Sequence, residues 1–443
     1  MNRRCFLVNR EQILACITRY YYVIINIGVL CILVARQPHV LLNATLFKED
    51  GFIFFKHAYE SPLISSLSCA YAGYIHVLPR IVAKACGILP LDWIPTAYVV
   101  VSLLFASVVI TFFYSSLFQH VVRSRKVRAL AVLCMALMPM GDDPVTINRM
   151  QGYGLLFGCL LSVAVLPKLL IGRIGLFSLF SLYVWSTPSL VVTIPVVIIR
   201  CIYAKDRVNR ALWAFGLLML VAYMVICLGG ASDARAGFRI IHVIALMNAF
   251  VFRVLCVYLF GTDVGVALLN GGWVAIWLLT LLGLASVSSV IRKSFERCPI
   301  HNIWPLYYAV SITSLLFLRP IWLNNFLVIS CETWSWHGRY FVVPLFMLCI
   351  FGTVVYESHL KYADPWSKNG GKRIGTVLMI WMTLHALRFK ELRWTPASCW
   401  RDDAALILSY ENRTTNDTNT VWLEASPKEA WRFPLVIKGK RKE

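Results

Sequence analysis

Long stretches without a charged residue alternate along this chain with short basic runs, and that alternation leaves few folds open to it. Residues 20–35 contain no Asp, Glu, Lys or Arg. Further apolar runs occupy 94–118, 155–170, 211–228, 264–291, 303–318, 341–356 and 374–387. A helix needs about 20 such residues to cross a bilayer. A backbone in lipid must satisfy its own hydrogen bonds, which in these patterns means helix. The expected fold class is therefore all-α, a polytopic transmembrane helical bundle of about eleven spans over residues 1–390. Residues 391–443 are less apolar and are expected as a short extracytoplasmic segment. With 59% hydrophobic and 15% charged residues, an ordinary soluble domain is excluded.

The formal charge of +21 would point to nucleic acid in a soluble protein. Here the bases cluster in turns between apolar segments, as in Arg123-Ser-Arg-Lys-Val-Arg128 and Lys205-Asp-Arg-Val-Asn-Arg210. That is the positive-inside pattern, with contact to membrane lipids, and no nucleic acid is expected as a partner. Arg3, Arg4, Arg10 and Arg19 precede the first apolar run, and no small-residue cleavage site follows it. The first span is expected to stay as an anchor with the N-terminus cytoplasmic. Most of the fourteen cysteines lie in apolar runs, without zinc or CxxC spacing. Cys331 and Cys399 are expected on one outer side, where a disulfide between them is open.

The first loop, residues 36–93, carries Phe47-Lys48-Glu49-Asp50-Gly51-Phe52. An acidic pair at the mouth of a bundle is either a functional group or a helix-capping one. After it, His76, Arg80 and Lys84 recur every four residues and share one face of a helix. Pro79 is expected to kink that helix. The stripe reads either as a headgroup anchor or as a site for a lipid-linked phosphate facing the acidic loop. A second acidic pair, Asp142-Asp143, precedes Asn148-Arg149 and reads as a turn or as cation ligands. Two short apolar runs, 174–185 and 190–199, are joined by Ser186-Thr187-Pro188 and read as broken helices lining a cavity. Residues 240–260 are expected in the interface. The aromatic loop 319–340 holds Trp334, Trp336, His337 and Arg339.

These features resemble the GT-C class of membrane glycosyltransferases: many spans, an acidic motif in the first outer loop (Glu49-Asp50), and a small outer C-terminal part. The run Tyr-Ala-Gly-Tyr-Ile-His-Val-Leu-Pro-Arg at 71–80 and Gly338-Arg-Tyr-Phe-Val-Val-Pro344 are similar to segments of such enzymes. Within the class, length and layout resemble the serotype-converting O-antigen glucosyltransferases of enteric bacteria and their phages, although about eleven spans exceeds their usual number. The resemblance implies a hexosyltransferase of the bacterial inner membrane with its site periplasmic. It would move a hexose, glucose by analogy, from a polyprenyl-phosphate donor to a lipid-linked O-antigen (lipopolysaccharide) or other envelope glycan.

In that reading Asp50 is the base and Glu49 its partner. Arg80, Lys84 and Arg339, with Arg149 and His337 behind them, hold the donor phosphate. His76, Tyr74, Trp334 and Trp336 contact acceptor or sugar. No cofactor is required, and Asp142-Asp143 leaves a divalent cation open. The competing readings are an O-antigen polymerase or ligase, which leans on arginines in large outer loops, and a lipid-linked-sugar transporter. The chain shows no evident internal repeat of the transporter kind.

Overall fold

The computed structural model describes residues 3–71, 74–138, 145–229, 304–316, 342–362, 400–412, 418–425 and 431–438, with Val251, Leu255, Leu278 and Leu281 besides. Asp142, Asp143, Cys331, Trp334, Trp336, His337, Arg339 and Cys399, and the segments expected at 240–260, 264–291 and 374–387 apart from those four residues, lie outside the described residues.

The chain is mostly helical. Helix α1 (Arg3–Arg36) stops where Gln37 precedes Pro38, because the proline ring pushes its predecessor out of helical geometry. Pro38 then opens the short α2 (Pro38–Leu42), a first-turn position where its missing N–H costs nothing. After the first loop, described below, α6 (Ile94–Phe112) starts on Pro95 in the same way. Helices α7 (Arg125–Leu137), α8 (Met150–Val163), α9 (Leu170–Val184), α10 (Ile194–Tyr203) and α11 (Arg207–Gly229) complete the N-terminal bundle. Helices α12 (Trp304–Leu316) and α13 (Val342–Tyr362) pack against each other, and α13 also packs on α7 and α8. The core runs through α6 and α8: every residue of α8 from Tyr153 to Val163 is buried.

Among the described residues, two stretches are long and apolar enough to cross a membrane, Leu91–Phe118 and Arg207–Ile226. Shorter apolar helices are Tyr20–Arg36, Leu170–Val184, Pro188–Tyr203 and Val342–Glu357. The run expected as a span at 155–170 is instead a 14-residue helix ending at Val163. It is about 21 Å long, against a hydrocarbon core of about 30 Å. Beyond that end Arg200 takes up the open carbonyls, those of Ser162 (2.9 Å), Val163 and Ala164 (3.2 Å). The broken-helix expectation matches: α9 ends at Val184, Pro188–Thr193 forms a 3-10 turn, and α10 resumes.

The two ends of the bundle differ. One end gathers the basic turns. Buried Arg128 donates to the carbonyls of Tyr114 (3.1 Å), Arg123 (3.2 Å) and Val122. Arg173 pairs with Asp206, and Glu357 of α13 accepts from the Ser124 N–H at 2.9 Å. The opposite end carries the acidic loop and, against it, the C-terminal segment.

That segment adds a strand pair to the mostly helical chain. Helix α14 (Trp400–Glu411) is followed by an antiparallel pair, β3 (Thr418–Ala425) and β4 (Trp431–Lys438), in register from Thr418↔Lys438 to Ala425↔Trp431. Val421, Leu423, Phe433, Leu435 and Ile437 are buried, while Trp422 and Val436 between them are exposed, the period-two pattern of a sheet with one covered face. A small bridge, β1 (Ala70–Tyr71) with β2 (Tyr74–Ile75), precedes the basic helix of the first loop.

Small residues allow the central helices to close. A Cβ on Gly154 would lie 2.2 Å from a ring carbon of Tyr183, and one on Gly158 would lie 2.2 Å from a Leu190 methyl. Gly154→Ala is therefore expected to destabilise by about 1–3 kcal/mol through overpacking. A thermal melt in detergent checks this; an unchanged transition would mean that α8 and α9 do not meet at this spacing.

Candidate functional site

The site is built from a strained corner. Lys48 has φ 37°, in the left-handed region that a side chain disfavours, at a cost of about 1–3 kcal/mol. The corner is held by the Lys48 carbonyl, which accepts from Gly51 N–H (3.1 Å) and Phe52 N–H (3.0 Å), and by Asp50 N–H on the Phe47 carbonyl (2.7 Å). The Lys48 ammonium lies 4.7 Å from the Phe47 ring centroid. A π-helical turn, Asp50–Phe55, follows directly. Such turns are rare and frequent at functional sites. Glu49 is half-exposed, whereas Asp50 is 3% exposed.

Asp50 points into the protein. One carboxylate oxygen accepts from Ile147 N–H and the other from Asn148 N–H, each at 3.1 Å. These N–H groups belong to the 3-10 turn Ile147–Arg149 that opens α8, an end that favours a carboxylate. Burial raises the Asp50 pKa from 3.8 to about 8, with Glu49 adding to the rise; the two backbone N–H groups and Arg149 oppose it.

A chain of hydrogen bonds and ring contacts leads away from this carboxylate. Gln151 donates to the Asn148 side-chain oxygen at 2.7 Å, and Tyr74 donates to Gln151 at 2.8 Å. Tyr74 stacks on His76 with ring centroids 4.1 Å apart, and His76 lies 5.6 Å from Phe54. The guanidinium of Arg80 lies 5.8 Å from the Phe54 centroid. Tyr98 of α6 is buried with an unpartnered hydroxyl, and the Asp50 charge reaches it.

Helix α5 (Val77–Cys86) begins one residue after His76, so Pro79 falls in its first turn, where no intrahelical partner is lost. The kink expected at Pro79 is thereby corrected. The cationic stripe faces inward. Arg80 is 1% exposed, so it is not an anchor on the outer surface of the helix. Its Nη1 lies 2.8 Å from His57 Nδ1, while its Nε and Nη2 have no partner among the described residues. Lys84, one turn on, donates to the carbonyls of Ala58 (2.7 Å) and Ser61 (2.8 Å). It thus closes the C-terminal end of α3 (Lys56–Glu60), the helix that carries His57.

The C-terminal segment grips the same helix from outside. Tyr59 donates to Glu411, and Glu60 accepts from Val436 N–H at 2.7 Å. Trp400 donates to the Leu91 carbonyl at 2.7 Å and meets Phe55 edge-on at 5.3 Å.

Of the residues singled out from sequence, Asp50, Tyr74, His76 and Arg80 are joined by one chain of contacts. Glu49 adjoins it and Arg149 reaches it electrostatically. Lys84 is engaged by backbone carbonyls instead. His57, Asn148, Gln151 and Tyr98 had no assigned role. Nothing in their spacing marks them, because they come from three separate segments. Among the described residues, no group of three or more His, Cys, Asp or Glu side chains is placed to hold a metal.

The raised Asp50 pKa sets a sign for stability. Between about pH 4 and about pH 8 the folded chain keeps a proton that the unfolded chain has released. Unfolding free energy should therefore fall as pH rises through that window, then level off. Asp50→Asn cannot ionise. Melting of wild type relative to Asp50→Asn should decline from acid to mildly basic pH, and a constant difference would contradict the assignment. Compared with protein-family models, with curated proteins and with solved structures, the chain finds no match.

Proposed function

We propose that this chain is a polytopic membrane glycosyltransferase of the GT-C type. It moves a hexose from a polyprenyl-phosphate donor to a lipid-linked glycan of the cell envelope, with O-antigen as the leading acceptor class. The observation that carries the reading is the contact path between Asp50, a buried acid raised to about 8, and Arg80, a buried cation with two unpartnered nitrogens. Acid and cation on one path at one end of a bundle suit a reaction with a proton to remove and a phosphate to release.

In this mechanism the acceptor hydroxyl attacks the anomeric carbon while Asp50 takes its proton. A carboxylate with a pKa near operating pH suits that transfer. The two backbone N–H groups hold one lone pair of each oxygen and leave the others for substrate. As the bond from sugar to phosphate breaks, negative charge grows on the lipid phosphate, and the Arg80 fork stabilises it. Arg149, whose charge acts on Asp50, keeps its proposed role behind Arg80. Arg339, His337, Trp334 and Trp336 keep their proposed roles in donor and sugar binding.

The membrane topology belongs to the same proposal. The end with Arg123, Arg125, Lys126 and Arg128 is cytoplasmic by the charge rule, and the acidic loop with the C-terminal cap is periplasmic in a bacterial inner membrane. The remaining spans of the expected eleven or so are assigned to the shorter apolar helices and to segments outside the described residues.

A second assignment within the reaction has its own support. Asp50 already accepts two backbone hydrogen bonds, so it is suited to holding the loop, while Glu49 beside it is half-exposed. The experiment separates the two. Glycans are analysed from a host with and without the chain, and with Asp50→Asn or Glu49→Gln. Gain of one hexose per repeat identifies a transferase; a change in chain length identifies a polymerase. Asp50→Asn should lower transfer about 10²- to 10⁴-fold with the protein still inserted. Near-normal modification by Asp50→Asn together with loss in Glu49→Gln would move the base to Glu49. Transfer retained by both would sink the site.

A further inference from the structure

Arg80 is held at one nitrogen only. Its Nη1 meets His57 Nδ1 at 2.8 Å, and Nε and Nη2, buried with it, have no partner among the described residues. An arginine does not release its proton in a protein, so Nη1 is the donor and His57 Nδ1 must be the acceptor. That fixes the imidazole as neutral, with its proton on Nε2. The surroundings agree: burial, Arg80 and Lys56 all lower the His57 pKa. A guanidinium is planar, so its stem and the hydrogen bond at Nη1 together restrict where the other two nitrogens lie. The imidazole is fixed in turn, because α3 is held by Lys84 through the Ala58 and Ser61 carbonyls on one side and by Tyr59 and Glu60 on the other. Phe54 limits the guanidinium from its flank.

We infer that His57 is a positioning residue, whose neutral Nδ1 aims the open edge of Arg80 at a phosphate group. The edge formed by Nε and Nη2 is the pair of parallel donors that matches two oxygens of a phosphate. A buried cation with two unmet donors is costly unless an anion completes it. The inference rests on the donor-phosphate role given to Arg80 above and adds the residue that makes the role geometric. The ligand chemistry is a phosphate mono- or diester, which a lipid-linked donor, a phospholipid headgroup or the free anion can each supply.

The test measures binding by the full chain in detergent to three probes: farnesyl phosphate, inorganic phosphate, and phosphatidylglycerol in mixed micelles. Arg80→Gln should abolish binding of whichever probe wild type takes up. His57→Phe, which keeps the ring and removes the acceptor, should weaken it about tenfold, as expected for loss of one hydrogen bond to a charged group. His57→Asn places an amide oxygen where Nδ1 stood and should recover to within about threefold of wild type. A merely structural histidine would not show that rescue. Preference for farnesyl phosphate over the other probes identifies the lipid-linked source; preference for either of the others, with the same His57 dependence, identifies that source instead.

Should the variants fail to fold, nitrogen NMR of histidine-labelled wild type gives the second readout. The His57 Nδ1 should be unprotonated and should shift when farnesyl phosphate is added. Wild-type affinity in His57→Phe, absence of binding to all three probes, or a protonated Nδ1 would each overturn the inference. Loss of sugar transfer in Asp50→Asn is a separate result: it can fail while phosphate binding keeps its His57 dependence, and the reverse.

Discussion

The hydrogen bonds from Ile147 and Asn148 to Asp50 join positions 97 and 98 residues apart in the chain, and the acidic end of the bundle is organised by that junction. Without it the π-helical turn would have no fixed relation to α8, and the path through Asn148, Gln151 and Tyr74 would lose its first member. The junction is demanding: it needs Lys48 in a left-handed backbone and a carboxyl out of water. Strain and burial of this kind persist only where surrounding structure over-determines them. Here the over-determination is visible in the buried Phe54 and Phe55 of the turn, and in Trp400, which comes from the far end of the sequence to pack on Phe55.

Helix α3 transmits that order to the cation. It is five residues long, too short to be stable by itself. Its stability comes from contacts made by successive residues in opposite directions. His57 and Ala58 face α5, where Arg80 and Lys84 meet them; Tyr59 and Glu60 face the C-terminal cap. Lys84 and Arg80 share one face by their four-residue spacing but divide the work. One closes the end of a helix, and the other keeps two donors open. A cationic stripe read from spacing alone could not separate those roles.

The helical character, the breaks around Pro188, the basic turns and the acidic loop were legible in the sequence, because each depends on local composition or on proline geometry. So was the shared face of His76, Arg80 and Lys84, since it follows from helical period. What was not legible depends on pairing distant segments. The role of Asp50 as an anchor needs Ile147 and Asn148; the orientation of Arg80 needs His57; the end of α8 needs Arg200, 37 residues beyond Val163. The β3–β4 pair was also missed. Its strands follow a helix-dominated chain, and their alternation is short, with Pro434 in one strand opposite Trp422 in the other.

The positive charge of the chain takes a different meaning once these contacts are in view. Arg36 donates to the carbonyls of Ala136 and Met138 at the end of α7, Arg128 to the turn after α6, and Arg200 to the end of α8. Arg36 and Arg200 close carbonyls that a helix leaves open, and Arg128 closes those of a buried turn, none of which lipid could satisfy. Many arginines thus belong to short buried helices rather than to headgroups, and the brevity of those helices creates the need. Arg80 is the exception that gives the site its chemistry. It sits in the first turn of α5, away from any helix C-terminus of its own, and among the described residues no run of carbonyls completes its fork.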